Sequence, residues 1–277
     1  MRLFLSSVRK LRRRPATWIS LGLLVGLLLL VFLAVGATAN QVPERPGEAA
    51  ATVIVTFPGA YDFVLSFILG LGGLVAVLYA GAIAGSEWGW GTFKAVVARG
   101  ESRSRYLLTT YAGIGLVLGI GLLVSFVAGV VAALIGALFA GVPTDGLSDA
   151  EALGGLPELL LRGWLSLVEQ GALGFAIATL ARSQIAGIGV GIGVYFGEQF
   201  AAIFIPDVVK FLPFHAASAV VEVSGSITAG GGGGGGGGPN GLIESLGPNE
   251  AVVVVTVWLL GALGVTALIA ERAEIAG

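Results

Sequence analysis

The chain has 277 residues, of which 56% are hydrophobic and 12% charged, with a mean hydropathy of +0.94 and a formal net charge of −2. That balance excludes an ordinary soluble domain, and the absence of cysteine excludes disulfides and thiolate metal sites. Long apolar runs take up most of the length and leave no room for a soluble catalytic domain.

The first segment is basic, with Arg2, Arg9, Lys10, Arg12, Arg13 and Arg14 ahead of any apolar run. Phe4, Val8 and Leu11 recur at helical spacing, which predicts an amphipathic helix in the headgroup layer. Residues 17–37 form the first run that matches a hydrocarbon core roughly 30 Å thick. Ala37-Thr38-Ala39 after it resembles a secretory cleavage site. The run is about 20 residues, longer than the usual signal core, so it is expected to remain as span one.

Residues 41–59 carry Pro43, Pro46 and Pro58 and read as an external connection to span two, 61–85. Segment 86–106 is compact, aromatic and basic, and lies between two apolar runs. Its middle, 92–99, puts Phe93, Val96 and Val97 on one helical face, so it can lie flat and present a surface. Span three is 107–139, followed by an external connection over 141–157 that is broken by Gly and Pro. Span four is 159–180, and Arg182-Ser183-Gln184 is a tight turn into span five, 185–205.

The longest external segment is 206–250, and it contains the uninterrupted glycine run 230–238. Such a run is a flexible linker, and it lacks the Gly-Lys-Ser/Thr ending of a phosphate-binding loop. Residues 211–223 ahead of it are apolar enough to dip back into the membrane, and 251–270 is span six. The expected fold is therefore all-α, a polytopic membrane protein of six transmembrane helices in a single domain.

Of the 15 Lys and Arg residues, all but Arg45, Arg162 and Lys210 fall on one side of this arrangement. That side should be cytoplasmic and hold both termini. Several glycines sit inside the spans at small-xxx-small spacing, Gly81 with Gly85 and Gly115 with Gly119. Span five carries Gly187, Gly189, Gly191, Gly193 and Gly197. They predict close helix approach in lipid, within one chain or between two copies.

Catalytic chemistry is sparse. His215 is the only histidine, it falls in an external loop, and no nucleophile motif accompanies it. No His, Asp and Glu cluster has metal-ligand spacing. The chain is thus expected to be no enzyme and to bind no cofactor. Two carboxylates remain inside the spans. Glu169 lies about 12 residues, or roughly 18 Å, from the turn joining spans four and five, and Glu198 about 14 residues, or roughly 21 Å, beyond it. Each is followed by a glutamine, Gln170 and Gln199. Charges at such depth face a cavity or a partner, which makes these four residues candidates for a translocation path. The alternative is that the carboxylates are protonated, or are bonded to neighbouring helices as structural glue.

Glu87, Gly91, Thr92 and Lys94, followed by Arg99-Gly100-x-Ser102-Arg103, resemble a signature of permease subunits of ABC-type exporters, the six-span kind served by a separate ATPase. Leu180-Ala181-Arg182-Ser183 and the basic amphipathic lead-in are similar to that family too, and the resemblance spans essentially the whole chain. It implies a cytoplasmic coupling helix between spans two and three and a re-entrant external segment before span six. It also implies a partner cytosolic ATPase that carries ATP and Mg²⁺, and a second permease copy or a related chain. Glu87, Gly91, Thr92, Phe93, Lys94, Val97, Arg99, Arg103 and Arg105 would then form the ATPase contact, in the cell membrane. The substrate could be a small molecule, a peptide or a lipid, and nothing points to nucleic acid. Two other readings stay open: a proton-coupled secondary transporter using Glu169 and Glu198, and a membrane scaffold or sensor anchor that transports nothing.

Overall fold

The computed structural model describes residues 2–38, 51–89, 98, 100, 102–221 and 246–272. The helix expected over 92–99, the residues Gly91, Thr92, Phe93, Lys94, Val97 and Arg99, and the glycine run 230–238 lie outside them. Among the described residues every regular element is helical: α1 (Arg2–Arg12), α2 (Pro15–Thr38), α3 (Gly59–Gly89), α4 (Arg103–Ala140), α5 (Ala150–Ala181), α6 (Gln184–Phe204), α7 (Pro206–Val209), α8 (Pro213–Ala219) and α9 (Pro248–Arg272). Short 3-10 turns at Ala51–Val55 and Asp145–Ser148 precede α3 and α5.

Among the described residues six helices, α2 to α6 and α9, are long and apolar enough to cross a membrane. They coincide with the six runs of the sequence. At 1.5 Å per residue the 38 residues of α4 extend about 57 Å, well beyond a core of roughly 30 Å. The Arg103–Arg105 end can therefore stand outside the apolar layer. Ser102 caps that end, its hydroxyl accepting from the Arg105 backbone N–H, and Gly141 closes the other in the left-handed region at φ 69°.

One boundary differs from expectation. Residues 150–157, read as loop on account of their Gly and Pro, are the first turns of α5. Asp149 caps them by accepting from the Ala152 backbone N–H at 2.9 Å. Pro157 removes one ladder bond, but in a stretch where Leu153, Gly154 and Gly155 are exposed, so the carbonyl it frees can be solvated.

Packing follows the small residues. Helix α3 lies in its most extensive contact with α5 and also against α6, while α2 runs against α4, and α9 covers α4 and α5. Gly174 of α5 sits on the Val77 backbone and Gly191 of α6 on the Val77 side chain. Gly187 meets Ala178 beside the α5–α6 turn. These glycines serve close approach within the chain. Gly189, Gly193 and Gly197 face open space instead.

Helix α1 is more than a surface element. Ser7, Val8 and Leu11 pack on α4 where Gly113 leaves room, and Leu11 is fully buried. A core at this end joins Leu11 to Ile83, Leu107, Ile114 and Phe175, and a larger one runs from Leu28 and Phe32 through Ile68 to Val255. At the far side, α8 and the two residues after it enter the bundle with Ala216, Ala217, Val220 and Val221 buried, held by Ser166 Oγ donating to the Ala217 carbonyl at 3.0 Å.

Candidate functional site

Two polar sites are built into this apolar frame. The first is where α1, α3 and α4 meet. Glu87, in the last turn of α3, is completely buried. Its Oε1 accepts from Lys10 Nζ at 2.5 Å and Arg14 Nη2 at 3.0 Å, and its Oε2 accepts from the Tyr106 hydroxyl at 2.6 Å. Arg14 Nη1 also donates to Ser86 Oγ at 2.7 Å. An ionised carboxylate with several charge-assisted donors is well compensated despite its burial. Glu87 thus points into the chain, and its carboxylate is fully occupied there. The family resemblance of the sequence instead implies a partner contact for it. The difference arises because the basic lead-in folds back over the end of span two.

Nearby, Arg182 lies over the Trp88 ring at 5.3 Å. Ser104 Oγ donates to Glu271 Oε1 at 2.5 Å, and Arg103 Nη1 to the Glu271 carbonyl at 3.5 Å. The lead-in, the end of span two, the start of span three, the α5–α6 turn and the end of α9 therefore gather at one end of the bundle. Arg105 is exposed there. Arg162 is at the other end, where it pairs with Glu158 at 2.6 Å and donates to Asn249 at 3.0 Å.

The second site lies within the bundle. Glu169 of α5 is completely buried, and among the described residues neither of its oxygens has a hydrogen-bond partner. Gln170 is buried beside it, with Nε2 at 3.5 Å from Ser166 Oγ and, among the described residues, no partner for Oε1. It occupies the space left by Gly73 of α3. Glu198 of α6 is 4% exposed. Its Oε2 accepts from the backbone N–H groups of Phe214 at 3.0 Å and His215 at 3.2 Å, and lies 3.4 Å from His215 Nδ1. Its Oε1 has no hydrogen-bond partner among the described residues. The two carboxylates are within electrostatic range of each other.

The four candidates separate here. Glu169, Gln170 and Glu198 are drawn together, whereas Gln199 is exposed. Successive helical residues point about 100° apart. Helix α5 is enclosed by α3, α4, α8 and α9 and so can bury two in a row, while α6, on the outside, buries only one. The sequence alone puts His215 in an external loop. It belongs to α8 and reaches Glu198, and the Pro213 at the first position of that helix was the available signal.

A cavity of about 430 Å³ adjoins Glu198, bounded by Val77 of α3, Leu173 and Ile177 of α5, and Val194 and Ala201 of α6. Gly191 and Gly197 of α6, Phe214 of α8 and Trp258 of α9 also line it. No protein-family model matches the chain, and no match is found among the curated proteins.

Proposed function

We propose that the chain is the permease subunit of an ATP-driven exporter of the ABC type. In this reading it lies in the cell membrane with both termini cytoplasmic. It takes a cytosolic ATPase as partner and forms its path with a second copy or a related chain. The observation that carries the proposal is the Glu87 cluster. Segment 90–101 is rooted in α3 on one side and α4 on the other, and Glu87 ties both roots, through Tyr106, to the lead-in through Lys10 and Arg14. A push on that segment would reach three helices as one body. A transmission element needs this property if it is to bias a two-state helix packing. Phe93 and Val97 would be the apolar anchor for the ATPase, with Lys94, Arg99 and Arg105 orienting it. Glu87 and Arg103 would instead hold the root of the loop. Helices α7 and α8 would form the re-entrant external segment, and α1 would lie at the headgroup layer.

A proton-coupled transporter is favoured by one observation, that neither Glu169 oxygen has a partner among the described residues. Affinity purification of the chain from its native membrane separates the readings. A stoichiometric ATPase that is lost with Phe93→Ala, while membrane insertion stays normal, supports the permease. Proton uptake by the reconstituted chain with no ATPase present supports the alternative.

A further inference from the structure

Between α1 and α4, at the basic end of the bundle, lies a groove of about 540 Å³ whose lining includes the exposed residues Arg105 and Ala112. The lining is graded. Ser104, Arg105 and Thr109 supply its polar groups, while Phe4, Leu108 and Ala112 supply apolar surface. From Ser104 to Ala112 the helix rises about 12 Å, so the polar end stands toward water and the apolar end toward the hydrocarbon layer. The same face of α4 continues past Ala112 with Leu116, Ile120 and Leu123, all exposed on the outside of the bundle. The groove thus runs without interruption into a strip of aliphatic surface.

Charge selects the occupant. The Arg105 side chain makes no hydrogen bond or ion pair among the described residues, and Arg9, Arg12 and Arg13 are exposed on α1. Of the described carboxylates at this end, Glu87 is already held by Lys10, Arg14 and Tyr106. Glu271 reaches Ser104 from α9 without lining the groove, and the exposed Arg272 follows it. We propose that the groove binds one anionic phospholipid from the adjoining leaflet. Its phosphate lies against Arg105 and Thr109, and one acyl chain lies against Phe4, Leu108 and Ala112 and then along the α4 strip. A zwitterionic lipid would bring its own cation into a positive field, and a free phosphate would leave the apolar end uncovered. Because α1 supplies one wall and α4 the other, the lipid bridges the lead-in to span three. This goes beyond the permease reading, which gives Arg105 a part in orienting the ATPase. Lipid binding is measured on the chain alone, without that partner.

The test titrates the detergent-purified full chain with dioleoyl phosphatidylglycerol or dioleoyl phosphatidylcholine and counts bound lipid by native mass spectrometry. The tails are identical, so any difference reports the headgroup. Phosphatidylglycerol should saturate at one per chain and bind about tenfold more tightly than phosphatidylcholine. Arg105→Gln should weaken phosphatidylglycerol about fivefold. Ala112→Trp fills the apolar end from an exposed position, keeps every charge, and should weaken binding at least as much. Arg12→Gln and Arg13→Gln remove exposed charges outside the lining and should each change affinity less than about twofold. Glycerol 3-phosphate at millimolar concentration should not displace the lipid. Equal affinity for the two lipids, equal losses in Arg105→Gln and Arg12→Gln, or unchanged binding in Ala112→Trp would overturn the proposal. Displacement by glycerol 3-phosphate would show a free-phosphate site, and no saturable lipid would show a groove covered by the protein itself; either overturns it as well. Loss of the ATPase with lipid binding intact would sink the permease reading alone, and the converse result would sink this proposal alone.

Discussion

Arg14 reaches Glu87 across 3.0 Å, although the two are 73 positions apart along the chain. The contact closes the bundle at its basic end, because Glu87 is the residue on which the lead-in, span two and span three converge. Its removal should be felt in all three.

Glu87→Gln leaves Lys10 and Arg14 without their counter-charge. Breaking a buried pair by removing one partner costs about 3 kcal/mol. Lys10 is 34% exposed and recovers part of its loss from water, whereas Arg14 is 12% exposed. Thermal unfolding in detergent should show the destabilisation. Trypsin should cut within residues 9–14 faster than in the unchanged protein. An unaltered cleavage rate would show that α1 is held by Leu11 and Ser7 alone.

Gly73 and Gln170 form a second tight contact, since a Cβ at Gly73 would overlap the Gln170 side-chain oxygen. Gly73→Ala should destabilise by about 1–3 kcal/mol through overpacking. Combined with Gln170→Ala, which withdraws the colliding atoms, it should cost less than the sum of the two changes. Additive effects in that cycle would contradict the packing of α3 on α5.

Glu169 offers a contrasting expectation. Its oxygens have no partners to lose among the described residues, so Glu169→Gln should shift unfolding free energy by no more than about 1 kcal/mol. If the residue carries protons, transport should fall while the fold persists. If unfolding is strongly destabilised instead, the side chain is structural glue.

Orientation can be tested without background labelling, because the chain has no cysteine. Ser148 and Arg105 are both exposed and lie at opposite ends of the bundle. In intact cells an impermeant thiol reagent should label Ser148→Cys and spare Arg105→Cys. The reverse pattern would invert the topology and remove the proposed coupling segment from the cytosol.

The six spans were legible because hydropathy and length are local quantities: about 20 apolar residues need a bilayer or a core wherever they occur. The amphipathic lead-in, with Phe4, Val8 and Leu11 at helical spacing, was legible for the same reason. Helical pattern alone could not place Glu87, which was read as facing a partner. Its burial depends on Lys10 and Arg14 folding back across the end of span two. Nor could pattern separate Gln170 from Gln199. Both follow a glutamate inside a span, and only the number of helices packed around α5 and α6 puts one inside the bundle and the other on its surface. His215 looked like a loop histidine because a reversal of chain direction separates it from Glu198. Side-chain spacing records which residues share a helix face, whereas the neighbour of each face is chosen by the sum of contacts over the whole bundle. The carboxylates were therefore readable as unusual from the chain, and their partners, the cavity and the lock at the basic end came only from packing.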